Sequence, residues 1–312
     1  MKTVTRREFL RMAWGGAAAV GVGALSGVVG CQLFGPAPQA TAPPAAGSSG
    51  QPSSELTFIV AGDSHFGAKG MAEANEKMVR AINALPGTPW PEQIGGAVGR
   101  PRGVLFMGDM TDNGAAWEWG AFEKFYGRTG REGLLKFPIF EASGNHDRLL
   151  PFSPVMSHVK VRHGGLTYSW DWDGVHFVCL DLYPDARNLA WLRADMEKVG
   201  PLRPVVAYWH YTPEADFAII GQDWTAAEKR ACQEALRPYN VAAIFCGHWH
   251  MSGQFNWGGY DLFQPGAPRH SCRTFMAARI KDGQLAVAVW DWDRARWEDA
   301  YVKKLRVGAG QA

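Results

Sequence analysis

The sequence predicts an α/β domain over residues 55–312, and three features of its patterning carry that prediction. Five apolar runs of strand length, "LTFIVAG", "GVLFMGD", "FPIFEASG", "PVVAYWH" and "VAAIFCG", each end in glycine or polar residues, as buried strands emerging into loops do. Amphipathic stretches lie between them, the alternation expected of helices packed on a sheet. Two further segments alternate apolar and polar residues about an Asp-Gly pair, the strongest short-range hairpin signal.

Taken in chain order, "MAEANEKMVRAINAL" at 71–85 places Met71, Met78, Ile82 and Leu85 on one face and reads as a helix. The stretch 85–103, "LPGTPWPEQIGGAVGRPRG", is too long and too rich in Gly and Pro for a simple connection, and is expected to be functional or mobile. "LTYSWDWDGVHFVCLDL" predicts a hairpin turning at Asp173 and Gly174. "DWTAAEKRACQEALRPYN" predicts a helix capped by Asp223 or Thr225. "TFMAARIKDGQLAVAVWDW" predicts a second hairpin, at Asp282 and Gly283. Among the tryptophans, Trp170, Trp172 and Trp290 fall at core-like positions, which suggests packing rather than ligand stacking.

Ahead of the domain, "TRREFLR" at 5–11 resembles the twin-arginine export motif, and the Gly/Ala-rich apolar run Met12 to Val29 resembles the core of such a signal. That run also reaches the lower limit of a membrane span, but cleavage is the expectation. "VVGC", ending at Cys31, resembles a lipobox, with Val28 where leucine is usual; it implies a lipid anchor on Cys31. Residues 35–54, "GPAPQATAPPAAGSSGQPSS", then form a flexible tether. The expected organisation is a signal at 1–30, a lipidation site and tether at 31–54, and one domain at 55–312. The expected location is the periplasmic or cell-envelope side of a bacterial membrane, reached through the twin-arginine machinery.

Charge excludes one class of partner. The formal net charge is +2, yet residues 1–30 hold four basic residues against one acidic, and the remainder carries 28 basic and 29 acidic. Such a balance gives no basic stripe for nucleic acid. Cys179, Cys232, Cys246 and Cys272 lack the short paired spacings of a zinc or redox site and are expected to be buried thiols.

The five strand ends carry the chemistry. They supply Asp63 and His65 in "AGDSH", Asp109 in "MGDMTDNG", Asn145, His146 and Asp147 in "SGNHD", His210 in "YWHYTP", and His248 and His250 in "GHWH". "GHWH" alone fits either a ligand pair or a solvated strand end. Five such ends in one α/β domain converge where functional groups gather, and Asp, Asn and His without cysteine suit Mn, Fe or Zn.

In this order, D-x-H, GD-x-x-D, GNHD, a lone His and GH-x-H resemble the calcineurin-like metallophosphoesterases over residues 61–250. The resemblance implies a four-layer α/β/β/α sandwich of two mixed sheets flanked by helices. It implies two divalent metals, one on Asp63, His65 and His250, the other on Asn145, His210 and His248, with Asp109 bridging them. A metal-bridging hydroxide would attack a small phosphate mono- or diester. His146 would assist the leaving group, Asp147 would orient His146, and Asp112 would steady the loop around Asp109 or a neighbouring ligand. Purple acid phosphatases have tyrosine where this chain has Asp112, which disfavours that subgroup. Arg148, Arg162, His163 and Tyr183 are further residues that could reach a substrate, with packing roles the stronger reading for each. Two other functions remain open: a phosphodiesterase or nuclease acting on nucleotides or nucleic acid, and a tethered binding protein without turnover.

Overall fold

The computed structural model describes residues 55–213, 224–270 and 272–306. The export motif, Cys31, the tether and Asp223 lie outside the described residues.

Twelve strands and five helices follow one another in the described residues. Strands β1 (Glu55–Ala61), β2 (Val104–Phe106) and β3 (Ile139–Glu141) alternate with helices α1 (Met71–Ala84) and α2 (Ala116–Tyr126). Helix α3 (Pro154–His163) leads to the hairpin β4 (Thr167–Trp172) and β5 (Val175–Leu180), then α4 (Ala186–Val199), β6 (Pro204–Trp209), α5 (Ala226–Leu236) and β7 (Asn240–Cys246). The chain closes with β8 (Ser252–Trp257), β9 (Tyr260–Pro265), β10 (Thr274–Lys281), β11 (Gln284–Asp291) and β12 (Arg296–Lys304).

These strands form two six-stranded mixed sheets, ordered β12-β11-β10-β1-β2-β3 and β4-β5-β6-β7-β9-β8. In the first, β1, β2 and β3 run parallel; in the second, β5, β6, β7 and β9 do. The strands that carry candidate ligands therefore end on the same side within each sheet.

Period-2 alternation explains the layering. On β5, Phe177 and Cys179 join the core shared with the first sheet, while Val178 and Leu180 pack with Leu189, Leu192 and Met196 of α4. Phe58 of β1 meets Phe177 and Phe245 edge-on at 5.3 and 6.0 Å, which locks sheet on sheet. Two sheets face to face with helices outside give the four layers expected.

Local chemistry agrees with each predicted element. Asp173 and Gly174 (φ 46° and 83°) and Asp282 and Gly283 (φ 48° and 70°) take the left-handed turn that a two-residue hairpin requires. Thr225 caps α5, accepting from Glu228 N at 3.2 Å while Glu228 accepts from Thr225 N at 2.8 Å. Cys179, Cys232 and Cys246 are buried, and Cys272 is half-buried.

Residues 85–103 differ from expectation. Where a mobile stretch is one expectation, strands from the C-terminal part of the chain pin the segment. Arg279 donates to the carbonyls of Gly95 and Ile94 at 2.9 and 2.7 Å, and Trp297 Nε1 donates to Pro89 O at 2.8 Å. Trp90 stacks on Trp297 at 5.2 Å. The segment is a structural flap over β10 and β12.

Candidate metal centre

Each candidate ligand leaves a strand within a few residues of its end, and the backbone there is unusual. Asp63, His65, Asp109, His248 and His250 all have positive φ, at 55°, 43°, 50°, 74° and 54°. The left-handed region is sparse for residues with a side chain, and such outliers gather at functional sites. Hydrogen bonds between loops hold the turns: Asp63 N donates to Gly108 O and His65 N to Asp109 O, both at 2.9 Å, and Gly247 N donates to His210 O at 2.9 Å. Close approach demands glycine at 247, where a Cβ would lie 2.7 Å from Asp63 Oδ2 and 2.9 Å from Met107 O.

The structure brings all seven predicted ligand residues together. Asp63, His65, Asp109 and His250 form one cluster, and Asp109, His210 and His248 form another. Asn145 joins the second, its Oδ1 at 2.9 Å from His210 Nε2. Asp109 belongs to both: its Oδ2 is 3.4 Å from Nε2 of His65 and 3.4 Å from Nε2 of His210.

Whether these residues fit a cation can be judged from their lone pairs. His210 Nδ1 is 2.6 Å from Met107 O and must donate to it, so Nε2 turns a lone pair toward Asn145 Oδ1, Asp109 Oδ2 and His248 Nδ1 (3.2 Å). His65 Nδ1 likewise donates to Asp112 Oδ1 at 3.1 Å, leaving Nε2 to face His250 Nε2 at 2.9 Å. Asp63 Oδ2 is buried with no hydrogen-bond partner among the described residues. Acceptors that converge without donors need a positive charge between them, and Asp, Asn and His donors suit a divalent cation of borderline hardness.

Electrostatics follow the same pattern. Burial drives the His65 imidazole down to about 4 and the His248 imidazole down to about 3, so both are neutral near pH 7, the state in which imidazole ligates a metal. Burial also opposes the charge on Asp109, but His210 and His65 outweigh it and hold the carboxyl well below its ordinary range. His210 is pushed up to about 9, its burial overcome by Asp109 and Asp63; the pocket draws positive charge to Nε2, where a cation would take the proton's place and meet the lone pair. Burial, then the charge of Asp109, pushes Asp147 up to about 6.

Asp147 does not orient His146. Its Oδ1 accepts from Thr111 N and Oγ1 at 2.9 and 2.8 Å, and its Oδ2 accepts from Gly144 N at 2.9 Å, tying the β2 and β3 loops together. The reason is local. Residues His146–Arg148 form a short 3-10 turn, in which successive side chains point about 120° apart, so Asp147 faces inward where His146 faces the mouth. His146 is instead held by Asp112, whose carbonyl accepts from Nδ1 at 2.7 Å, and it is partly exposed.

Asp112 touches His65 directly, as above. Arg148 pairs with Asp181 and Ser143. Arg162 and His163 hold the buried Glu141 at 2.6 and 2.9 Å. Tyr183 stacks on Tyr211 and Trp224 at 5.7 and 5.8 Å. All four side chains thus serve packing or ion pairing. Sequence reasoning passed over Arg269 and His270, from the loop after β9. Arg269 Nη1 lies 3.0 Å from Asp112 Oδ1, and the His270 ring stacks on His250 at 5.2 Å. Their signal was available: "YDLFQPGAPRHS" is another apolar run ending in polar residues.

The family described as calcineurin-like phosphoesterase matches residues 56–252. A probable cyclic nucleotide phosphodiesterase of Rhodococcus erythropolis is 24% identical over 212 residues, 64% of this chain and 66% of that protein, so the chain spans just under two thirds of it. Purple acid phosphatase 23 of Arabidopsis thaliana is 33% identical over 100 residues, 30% of this chain and 22% of its own length. The structure of purple acid phosphatase PPD1 from yellow lupin superposes with a TM-score of 0.53 at 13% identity, covering 80% of this chain and 54% of that one, a likeness of fold.

Proposed function

The chain belongs to the calcineurin-like phosphoesterases, and from that premise we propose that it is an exported, dinuclear metal-dependent hydrolase of small phosphate mono- or diesters. One observation carries the dinuclear reading: Asp109 is a member of both ligand clusters, with one oxygen equidistant from a histidine of each. Asp63, His65, Asp109 and His250 would hold one ion, and Asp109, Asn145, His210 and His248 the other, with Mn, Fe or Zn matching the donors.

Two such ions supply Lewis acidity toward phosphoryl oxygens and make water acidic enough to lose a proton near neutrality. The protein's own groups do the rest. Asp112 fixes the Nδ1 proton of His65 through its carboxylate, which leaves Nε2 free to ligate. The Asp112 carbonyl fixes the Nδ1 proton of His146, so that Nε2 is the atom that holds and delivers a proton to the leaving oxygen. Asp147 stays within the scaffold, keeping the Asp109 and Asn145 loops in register.

The diester side of the proposal draws support from the phosphodiesterase relative, and a nucleic-acid substrate is disfavoured by the balanced charge. Export rests on the twin-arginine-like and lipobox-like N-terminal residues, with Cys31 as the lipid-bearing position. The test is a panel of aryl monoesters, a bis-aryl diester and cyclic nucleotides on protein purified with its own metals, alongside elemental analysis. About two metals per chain with turnover of a small ester is expected; metal-replete protein inert on the whole panel would refute the catalytic reading in favour of a binding protein.

A further inference from the structure

Asp112 collects three donors on one side of the metal centre. Its Oδ1 accepts from His65 Nδ1 at 3.1 Å and from Arg269 Nη1 at 3.0 Å, and its carbonyl accepts from His146 Nδ1 at 2.7 Å. Arg269 therefore shares a carboxylate oxygen with a candidate ligand and stands close to the residue proposed to protonate the leaving group.

Arg269 arrives on a built loop. The segment crosses from β9 of one sheet to β10 of the other, with Ala267 N donating to Cys272 O at 3.2 Å and Thr274 Oγ1 donating to Pro265 O at 2.8 Å. Ser252 N also donates to Cys272 Sγ at 3.2 Å, which ties the loop to β8. His270, the next residue, stacks on His250. Two successive side chains thus lean over the cluster that contains His65 and His250.

The guanidinium is only partly used. Among the described residues its polar contacts run through Nη1, to Asp112 Oδ1 and beside His65 Nδ1 at 3.1 Å, while Nε and Nη2 have none. Two N–H groups aimed at one acceptor explain the short distance between Arg269 and His65. The side chain keeps 31% of its surface exposed. A planar fork with one nitrogen pinned and its remaining donors without partners among the described residues is suited to a tetrahedral oxyanion, which it can grip with two parallel hydrogen bonds.

Resting on the phosphoesterase reading of this site, we infer that Arg269 is a substrate-binding residue that receives non-bridging oxygens of the phosphoryl group, on the side of the centre where His146 stands. The crossover loop is then the wall that selects for an anionic phosphoryl group, and Asp112 is the anchor that aims the fork.

Inorganic phosphate is the probe. Calorimetric titration of metal-loaded wild type, Arg269→Met and Arg269→Lys, each with its metal content measured, reads the interaction without turnover. Charge-assisted hydrogen bonds contribute about 1.5–3 kcal/mol, so Arg269→Met should bind phosphate roughly 10- to 100-fold more weakly at unchanged metal content. In Arg269→Lys one ammonium cannot serve Asp112 and the phosphate as the fork does, so a loss of roughly tenfold is expected. Should the methionine variant fail to fold, the lysine variant decides alone, and undiminished phosphate affinity in it overturns the inference. Phosphate affinity within about twofold of wild type in Arg269→Met, or metal lost together with phosphate binding, also overturns it; the latter would assign Arg269 to holding Asp112 alone. Wild type that binds phosphate through Arg269 but hydrolyses no ester removes the proposed activity and leaves this inference standing.

Discussion

Replacing His146 with alanine should separate catalysis from metal binding. The imidazole makes one hydrogen bond, from Nδ1 to Asp112 O, and an edge contact with His65 at 4.6 Å, while its backbone N–H, which donates to Asp109 Oδ1 at 2.9 Å, survives the substitution. Losing the bond and the contact costs about 1–2 kcal/mol of stability, well within the usual margin of a folded domain. Losing a proton donor costs about 10²–10⁴ in rate, or about 3–5 kcal/mol of barrier. That rate penalty must depend on the leaving group. A phenol with electron-withdrawing substituents leaves as its anion and needs little help; an alcohol does not. The assay is kcat for wild type and His146→Ala on aryl phosphates of increasing phenol pKa, then on an alkyl ester, with metals counted for each protein. The expected result is unchanged metal content and a rate ratio that grows along the series. A uniform loss across all leaving groups would refute proton donation by His146, and loss of metal would refute its placement outside the ligand set.

Asp109→Ala should remove metal and hydrolysis together, since the Asp109 carboxylate faces both clusters; two metals and undiminished turnover by elemental analysis and assay would overturn the bridging assignment. Gly247→Ala should cost about 2 kcal/mol or more, because its Cβ would press on Asp63 Oδ2 and the Met107 backbone, which cannot swing aside; urea unfolding measures this, and wild-type stability would contradict the packing. Glu141→Gln should cost about 3 kcal/mol, since it leaves the Arg162 guanidinium without its buried counter-charge. Its pH dependence has a definite sign. Burial opposes the Glu141 charge, but Arg162 and the two histidines prevail and hold the carboxyl well below its ordinary value. The stabilisation is therefore complete above the unfolded carboxyl's pKa of about 4.3 and fades as pH falls toward the folded value. The part of the wild-type advantage over Glu141→Gln that comes from this carboxyl should therefore fade as pH falls below about 4; an advantage that persists undiminished to the acid limit of folding would contradict the ion pair.

The strand ends were legible because each combines an apolar run with a residue type that ligates, and the two hairpins because Asp-Gly names its own turn. Helix α1 and helix α5 announced themselves by spacing or capping. Helix α2 did not: "AWEWGAFEKFY" is aromatic around much of its circumference and contains Gly120, so no single stripe stands out. Helix α3 buries only Val155 and Val159, and its Arg162 and His163 reach Glu141, 21 and 22 residues upstream. Such partners cannot be read from local periodicity. The same holds for residues 85–103, whose anchors Arg279 and Trp297 lie nearly two hundred residues downstream. The family motif places Asp147 beside His146 in sequence, while the 3-10 turn separates the two side chains in space.

At five of the seven candidate ligand positions, Asp63, His65, Asp109, His248 and His250, residue chemistry and backbone geometry select the same side chains. The D-x-H and H-x-H motifs share one conformation, with Asp63 and His65, and again His248 and His250, in the left-handed region on either side of a single residue. Leaving a parallel strand that way turns the chain back sharply, and each such residue costs on the order of 1 kcal/mol. Asp, Asn and His are the non-glycine types most often found there, and they are also the ligands that suit a borderline-hard divalent cation. Valine at any of these positions would fail twice, once in the backbone and once at the metal. The loop hydrogen bonds from Asp63, His65 and Gly247 offset part of the strain, and they do so by tying the β1 loop to the β2 loop and the β7 loop to the β6 loop. Strain and its compensation are thus carried by the same contacts that fix the ligand positions, so a weakened loop contact should loosen the cluster before it unfolds the sheets.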